Sequence, residues 1–294
     1  MAAAEPALQL RGGGRIGRRR IVNRMMELLA TVAALLAVAI LGIVVLSVLQ
    51  RGASELSWGF LTGSLPTFGE TGGGIAPLII GSAILVGIAT AIALPLGVLT
   101  ALFASEFAPR RVAPVIRLTL DLMNGLPSIV IAVFIYGLLV FGRGQSGWAG
   151  GLALSIVMFP LVARSTQEVL RLVPRTLRES AMALGVSRWR MVTGIVLPAS
   201  LGGILTGTVL ALARAAGETA PLLFASSVFA NTTVWDPRTA LPNIPVQIFI
   251  WSESPDPEDH KRAWAAAFVL LAFVLLASIA GRLALARSRR KMSR

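Results

Sequence analysis

Arg214 and Glu218 stand four residues apart in ARAAGETAPL (213–222), directly after a run, GIVLPASLGGILTGTVLALA, that carries no charge. An arginine at the centre of a bilayer costs about 2.5–3.5 kcal/mol on insertion scales, so such residues face a bundle interior or a water-filled path. Its guanidinium fork matches the oxygens of an anion with paired hydrogen bonds. A second reading is an internal ion pair. At i, i+4 the two side chains meet on one helix face, although arginine before glutamate is the weaker order. The readings can coexist, with Glu218 holding the fork until an anion competes for it. Depth stays open: Arg214 is 19 residues beyond Ile195, about 28 Å along a helix.

Four further polar residues bear on the same question. Arg164 ends an apolar block and has Glu168 at i+4; it reads either as an ordinary positive-inside arginine or as part of a path. Asp121, Asn124 and Ser128 flank the break in NGLPSIVIAVF (124–134), where the residue before proline is pushed out of helical geometry. Backbone exposed at such a break is tolerated only within protein or beside a cavity; the alternative is a kink near the cytoplasmic surface. Gly203 and Gly207 form G-x-x-x-G, which reads as helix packing.

The elements that must hold these residues are membrane spans. Of 294 residues, 55% are hydrophobic and only 14% charged, against about 25% charged in soluble domains. The net charge of +13 does not indicate nucleic acid, since no soluble stretch is long enough to build a folded basic face. There is no cysteine and one histidine, His260, which argues against a metal centre or a Ser-His-Asp triad. The only lysines are Lys261 and Lys291 and neither follows a glycine, so the chain has no Walker A loop. Any ATP-driven work needs the nucleotide on another chain. No cofactor and no covalent catalysis are expected here.

Residues 1–24 form a basic, glycine-rich tail expected to lack structure. Residues 25–49 hold a first span, with its apolar part from Leu28 to Leu49, too long for the ~7–15 residue core of a cleaved signal peptide. Residues 50–74 are polar and extracytoplasmic. A core of five further apolar blocks covers 75–285: Ile75–Ser105 with Pro95 inside it, a block ending at Phe141, Trp148 to Val162, Ile195 past Arg214 to Phe229, and Ala263 to Leu285. Residues 286–294 form a second basic tail. All but seven of the 27 Lys and Arg fall in the tails and in the 106–117 and 163–190 connections; the exceptions are Arg51, Arg143, Arg214, Arg238, Lys261, Arg262 and Arg282, the last at the cytoplasmic end of the final span. That bias predicts six transmembrane helices with both termini cytoplasmic.

PRTLRESAMALGVSRWR (174–190) reads as a short helix. Pro174 suits its first turn. Leu177, Ala181 and Leu184 follow at i, i+4 and i+7, and Gly185 suits a left-handed stop. It lies at the membrane interface or docks a small apolar face into a partner's groove.

This segment, extended to ESAMALGVSRWRMVTGIVLP (179–198), resembles the EAA motif of bacterial ABC importer permeases through Glu179, Ala181, Gly185 and Leu197-Pro198, with Ser180 where that motif has alanine. The segments ALARAAGETAPLLF (211–224) and NGLPSIVIAVF resemble phosphate ABC transporter permeases, and the Gly-Glu-Thr-Ala-Pro-Leu-Leu ending resembles the A-type partner of the permease pair. The resemblance implies an all-α, polytopic protein with the type I ABC importer permease fold, in a bacterial cytoplasmic membrane. It implies a coupling helix at 174–186, with Leu177, Glu179, Ala181, Leu184 and Gly185 facing a separate ATPase. It also implies a substrate path drawn from Arg214, Glu218, Thr219, Arg164, Asn124 and Ser128. The partners implied are a second permease chain in a heterodimer, two ATPase subunits, an extracytoplasmic phosphate-binding protein meeting segments 50–74 and 226–262, inorganic phosphate and lipid. The alternatives are a permease for another oxyanion (molybdate, tungstate or sulfate), an ATPase-independent secondary transporter or channel, and a structural or sensory membrane subunit.

Overall fold

A computed structural model describes residues 15–67, 70, 72–228 and 230–292. The chain divides into two units, Met1–Gln50 and Arg51–Arg294. The described residues of the first are helical and belong to α1 (Arg15–Ala53). It begins well before the expected first span, because Arg18–Arg20 are good helix formers and extending a formed helix is far cheaper than starting one. The expected unstructured tail is therefore helical from Arg15, and residues 1–14 lie outside the described residues.

In the second unit the long helices are α3 (Ala76–Leu102), α6 (Gly147–Leu172), α9 (Leu197–Ala216) and α12 (Pro257–Met292). A π-turn, Phe103–Phe107, extends α3; a short helix α8 (Arg188–Met191) and another π-turn, Val192–Val196, lead into α9. The basic end of the chain is likewise helical through Met292 rather than a separate tail. Among the described residues, five helical runs are long and apolar enough to cross a membrane. α4 (Val112–Gly125) and α5 (Ser128–Ile135) with its π-turn Tyr136–Val140 pass the same test only when taken together across a bend of 93°, which brings the number of spans to six when the bent pair is counted as one. The bend falls at Leu126-Pro127, where both residues take extended ψ values, as the expected break requires.

α3 and α6 pack along their length around a core of Leu85, Ala89, Leu154, Met158 and Val162, closed by Ala211 and Ala215 of α9. Small residues set the approach. A Cβ on Gly203 would lie 2.5 Å from Val169, and one on Gly207 2.2 Å from the Ser165 hydroxyl. The G-x-x-x-G pair is thus the seam between α9 and α6.

The expected fifth block is not continuous. α9 stops at Ala216, Gly217 and Glu218 turn their amides back onto the carbonyls of Arg214 and Ala215, and a separate helix α10 (Ala220–Ala225) follows with Pro221 in its first turn. Proline at that position starts a helix but cannot continue one. The polar segments 50–74 and 226–262 also contain short helices that their turn-rich composition hid: α2 (Trp58–Thr62), capped by Ser57, and α11 (Ile244–Ser252), capped by Asn243. α11 is buried through Ile244, Val246, Gln247 and Trp251, and its first amide donates to Ser82 of α3.

Two polar knots hold the turns near α10. Gln145 donates to the Leu223 and Phe224 carbonyls and accepts from the Ser227 amide. The Ser226 hydroxyl accepts from Leu241 N, and Asn243 donates to the Ser226 carbonyl. These bonds satisfy backbone groups that the irregular segment would otherwise leave unpaired.

Candidate functional site

The two chain breaks meet. The Gly125–Pro127 corner between α4 and α5 and the last turn of α9 line one small cleft, formed by Met123, Asn124, Leu126, Ser128, Ile131, Val157 and Arg214. Three of the residues singled out in the sequence are therefore neighbours, brought from positions about ninety residues apart. Val157 is the eleventh residue of α6, about 15 Å from that helix's start, so Arg214 lies level with the middle of α6.

Arg214 and Glu218 do meet, but not on a helix face. Glu218 lies past the end of α9, and the turn at Gly217 folds its carboxylate back to 3.4 Å from Arg214 Nε. Side-chain exposure is 56% for Arg214 and 15% for Glu218. Neither Nη group of Arg214 makes a hydrogen bond to a described residue, and the same is true of the Asn124 and Ser128 side chains. The contact restrains the arginine through its stem-side nitrogen and leaves the fork open, which is the geometry an oxyanion needs. Thr219 follows directly as the first residue of the next turn, with its carbonyl accepting from Leu223 N.

Arg164 does not pair with Glu168. Its guanidinium instead forms an ion pair with Asp121 of α4. Asp121 is one turn before Asn124, so these two lie on one face of α4. Arg164 is seven residues beyond Val157 on α6, about 10 Å further along the bundle. The two arginines thus stand at separate levels, each held by one carboxylate in a single contact.

A larger recess of about 580 Å³ lies elsewhere, between α3, α9 and α12, lined by Ile79, Val86, Leu212, Val269, Leu270 and Phe273 among others. It offers an anion almost nothing. The Ser82 hydroxyl already accepts from Ile244 N, and Thr90 already donates to the Val86 carbonyl.

The connection after α6 folds as helix α7 (Arg175–Ala183), preceded by Pro174 and ended by Gly185 at φ +79°. Val186 N bonds to Ala181 O and Gly185 N to Met182 O, the paired closure of a left-handed C-terminus. The expected apolar face is divided. Leu177 and Leu184 are exposed, Leu184 at 84%, as are Glu179 and Gly185, whereas Ala181 is 5% exposed and packs into the chain's own core with Leu102, Leu170, Val173 and Met191. Ala181 therefore seats the helix and does not belong to the outward surface. Its small side chain allows that close seat.

One pair was missed in the sequence. Arg178, one turn before Ala181, turns inward to Glu106 at 2.9 Å and donates to the Leu170 carbonyl at 2.7 Å. Glu106 lies at the end of a mainly apolar block, and only its burial marks it. The one signal available was a lone acid just before the basic turn APRR.

Comparison with known proteins follows the same lines. Residues 93–294 match the family of binding-protein-dependent transport system inner membrane components. The phosphate transport system permease protein PstA of Yersinia pestis is 38% identical over 275 residues, covering 92% of each chain. The same-named protein of Haemophilus influenzae is 37% identical over 267 residues, covering 90% of this chain and 94% of its own. Among solved structures, a bacterial alginate ABC transporter in complex with an alginate-bound periplasmic protein has a chain that superimposes with TM-score 0.60 at 16% identity, covering 97% of this chain and 99% of its own. A chain of the MetNI methionine ABC transporter gives 0.58 at 16% identity, over 73% and 95%.

Proposed function

We propose a function from one premise: the chain belongs to the family of binding-protein-dependent transport system inner membrane components. It is a membrane permease subunit of an ATP-driven phosphate importer. It is a transport component and not an enzyme, and ATP hydrolysis belongs to a separate chain. The geometric observation that carries the reading is the Arg214 fork, left open by a single restraining carboxylate and placed beside Asn124 and Ser128 at the chain breaks.

The mechanism follows from each arginine being held by a single carboxylate. An anion reaching the cleft takes two charge-assisted bonds from the Nη groups of Arg214, while Glu218 keeps the side chain in place. Phosphate is a mono- or dianion at neutral pH, and Glu218 opposes its charge, so it is gripped without being trapped. Arg164, whose Nη2 is engaged by Asp121, offers the next station about 10 Å away through its other Nη group. Alternating access would open these stations to one side and then the other.

The assembly in this reading contains a second permease chain, two ATPase subunits and an extracytoplasmic phosphate-binding protein, with both termini cytoplasmic. Glu179, Leu177, Leu184 and Gly185 face the ATPase. The path is drawn from Arg214, Glu218, Thr219, Arg164, Asn124 and Ser128. The chain itself binds no cofactor.

The test is uptake of labelled phosphate by cells that lack their own phosphate importer and express this chain with its partner chains. Uptake that is competed by phosphate but not by molybdate, tungstate or sulfate, and that disappears when the ATPase is inactivated, is the expected result. Competition by one of the other oxyanions at equal strength would reassign the substrate, and uptake that survives loss of the ATPase would refute the mechanism.

A further inference from the structure

Arg178 joins three elements through one guanidinium. It projects from α7, bonds the carbonyl of Leu170 in the last turn of α6, and meets the carboxylate of Glu106 in the π-turn that ends α3. Glu106 has a side-chain exposure of 6% and Arg178 of 19%. Nothing in the transport path uses either residue.

The contact is reinforced beside it. The Phe107 ring lies 6.0 Å from that of Trp189, and the Arg188 guanidinium stands 5.7 Å over the same ring. The end of α3 is therefore gripped at two consecutive residues, by α7 through Glu106 and by α8 through Phe107. Around this grip the contacts are small and apolar, from Ala181 to Ala101, Leu102 and Val192. Apolar contact is non-directional and lets surfaces slide. A buried charge pair is different, because separating it strands a charge away from water.

We propose that Glu106 and Arg178 are the positioning pair that makes α3 follow α7, so that a shift imposed on α7 from outside the chain moves α3 and α6 as one body. The inference rests on the reading of α7 as the element an ATPase drives. α3 packs along α6 for most of its length, and α6 carries Val157 and Arg164. A displacement of α7 therefore reaches both arginine levels without any bond of the path being broken. The π-turn suits this role. It closes with the Ala108 amide on the Phe103 carbonyl, takes one residue more than an α-turn, and is a form that recurs at functional positions.

The experiment uses the full complex in vesicles, with phosphate uptake and ATP hydrolysis measured on the same preparation and the ATPase-to-permease ratio checked by gel. The variants are Glu106→Gln, Arg178→Gln and Arg178→Lys. Both Gln variants are expected to retain ATP hydrolysis while phosphate moved per ATP falls about tenfold or more, with Arg178→Lys intermediate. Wild-type coupling in the Gln variants would overturn the inference. So would uptake and hydrolysis falling in parallel with the amount of assembled complex, which is the mark of a merely structural pair. Should the Gln variants not assemble, the double variant Glu106→Cys/Arg178→Cys, in a chain without native cysteine, is bridged by a short bifunctional thiol reagent. Bridging is expected to raise uptake per ATP above the unbridged form, and a bridge that blocks uptake would show that the two helices must part. A wild-type complex that hydrolyses ATP but moves no phosphate would instead refute the functional reading, and this inference with it.

Discussion

Replacing Arg214 by Gln tests the anion path where the geometry is sharpest. The stability cost is small. The Arg214–Glu218 contact is a single 3.4 Å approach with the arginine more than half exposed, and pairs of that kind contribute about 0–1 kcal/mol. Glutamine also keeps the first two methylenes of the stem and a polar end in the cleft lined by Leu126 and Val157. Membrane levels and ATPase co-purification should therefore match wild type. The cost to transport is larger. The open fork can give a phosphate two charge-assisted bonds, each contributing about 1.5–3 kcal/mol, and the Gln amide can replace roughly one of them without its charge. The expected loss is about 1.5–3 kcal/mol of anion stabilisation in the path, or roughly 10- to 150-fold in uptake rate. Initial rates of labelled phosphate uptake at subsaturating phosphate, normalised to permease in the membrane, measure it. An assembled Arg214→Gln complex with wild-type uptake would refute the reasoning and make the Arg214–Glu218 pair structural. The path would then have to be sought at Arg164 or on the partner permease.

Gly207→Ala places a Cβ 2.2 Å from the Ser165 hydroxyl; overpacking of that kind costs about 1–3 kcal/mol and should lower the unfolding temperature of the purified protein in detergent, whereas Gly87→Ala, with nothing within 4 Å, should not. In the segment between α2 and α3, the Thr67 amide and hydroxyl both donate to the Glu70 carboxylate and hold its pKa below the usual carboxylate range, with Arg262 adding to the effect. A group with a lowered folded pKa contributes fully above its unfolded value and is lost as pH falls through the folded one. Amide exchange at Thr67 should therefore stay protected through the neutral range and speed up only in acid below the ordinary glutamate value, and Glu70→Gln should abolish that acid step.

How much was legible depended on whether the signal was local. Spans, the corner at Leu126-Pro127 and the stop at Gly185 each follow from a few adjacent residues, and each appears where those residues stand. The end of α9 did not, although Gly217 and Pro221 were in view, because an apolar run on both sides made one long helix look simpler than two. α11 was hidden for the opposite reason: prolines and acids around IPVQIFIWS masked a nine-residue apolar stretch. Pairings between distant elements were the least readable. Arg164 has Glu168 one turn away in sequence, yet Asp121, 43 residues earlier, takes it. The face of α7 misled in the same way, since periodicity groups Leu177, Ala181 and Leu184 but only packing reveals that Ala181 turns inward.

Helix breaks explain how this chain places a charged pair beside the middle of α6. A continuous α9 would put Arg214 and Glu218 on an unbroken apolar wall, with the carboxylate one turn higher and facing the same surroundings. Ending α9 at Ala216 changes both terms. The turn at Gly217 points two amides back to the Arg214 and Ala215 carbonyls, so the stop leaves those two carbonyls satisfied. It also returns the Glu218 carboxylate to the arginine from beyond the helix end. The second break, at Gly125–Pro127, delivers Asn124 and Ser128 to the same level from α4 and α5. Neither break alone makes a site for an anion: the first supplies charge with a restraint, the second supplies neutral polar groups. Straightening one of them should therefore remove transport without touching Arg214. Pro127→Ala relieves the constraint on Leu126 and lets α4 run on into α5, and the reasoning requires that it reduce phosphate uptake while Arg214, Glu218 and the α7 surface remain intact. Uptake unaffected by a straightened α4–α5, with the change in helix content seen by circular dichroism, would mean that Asn124 and Ser128 play no part in the path.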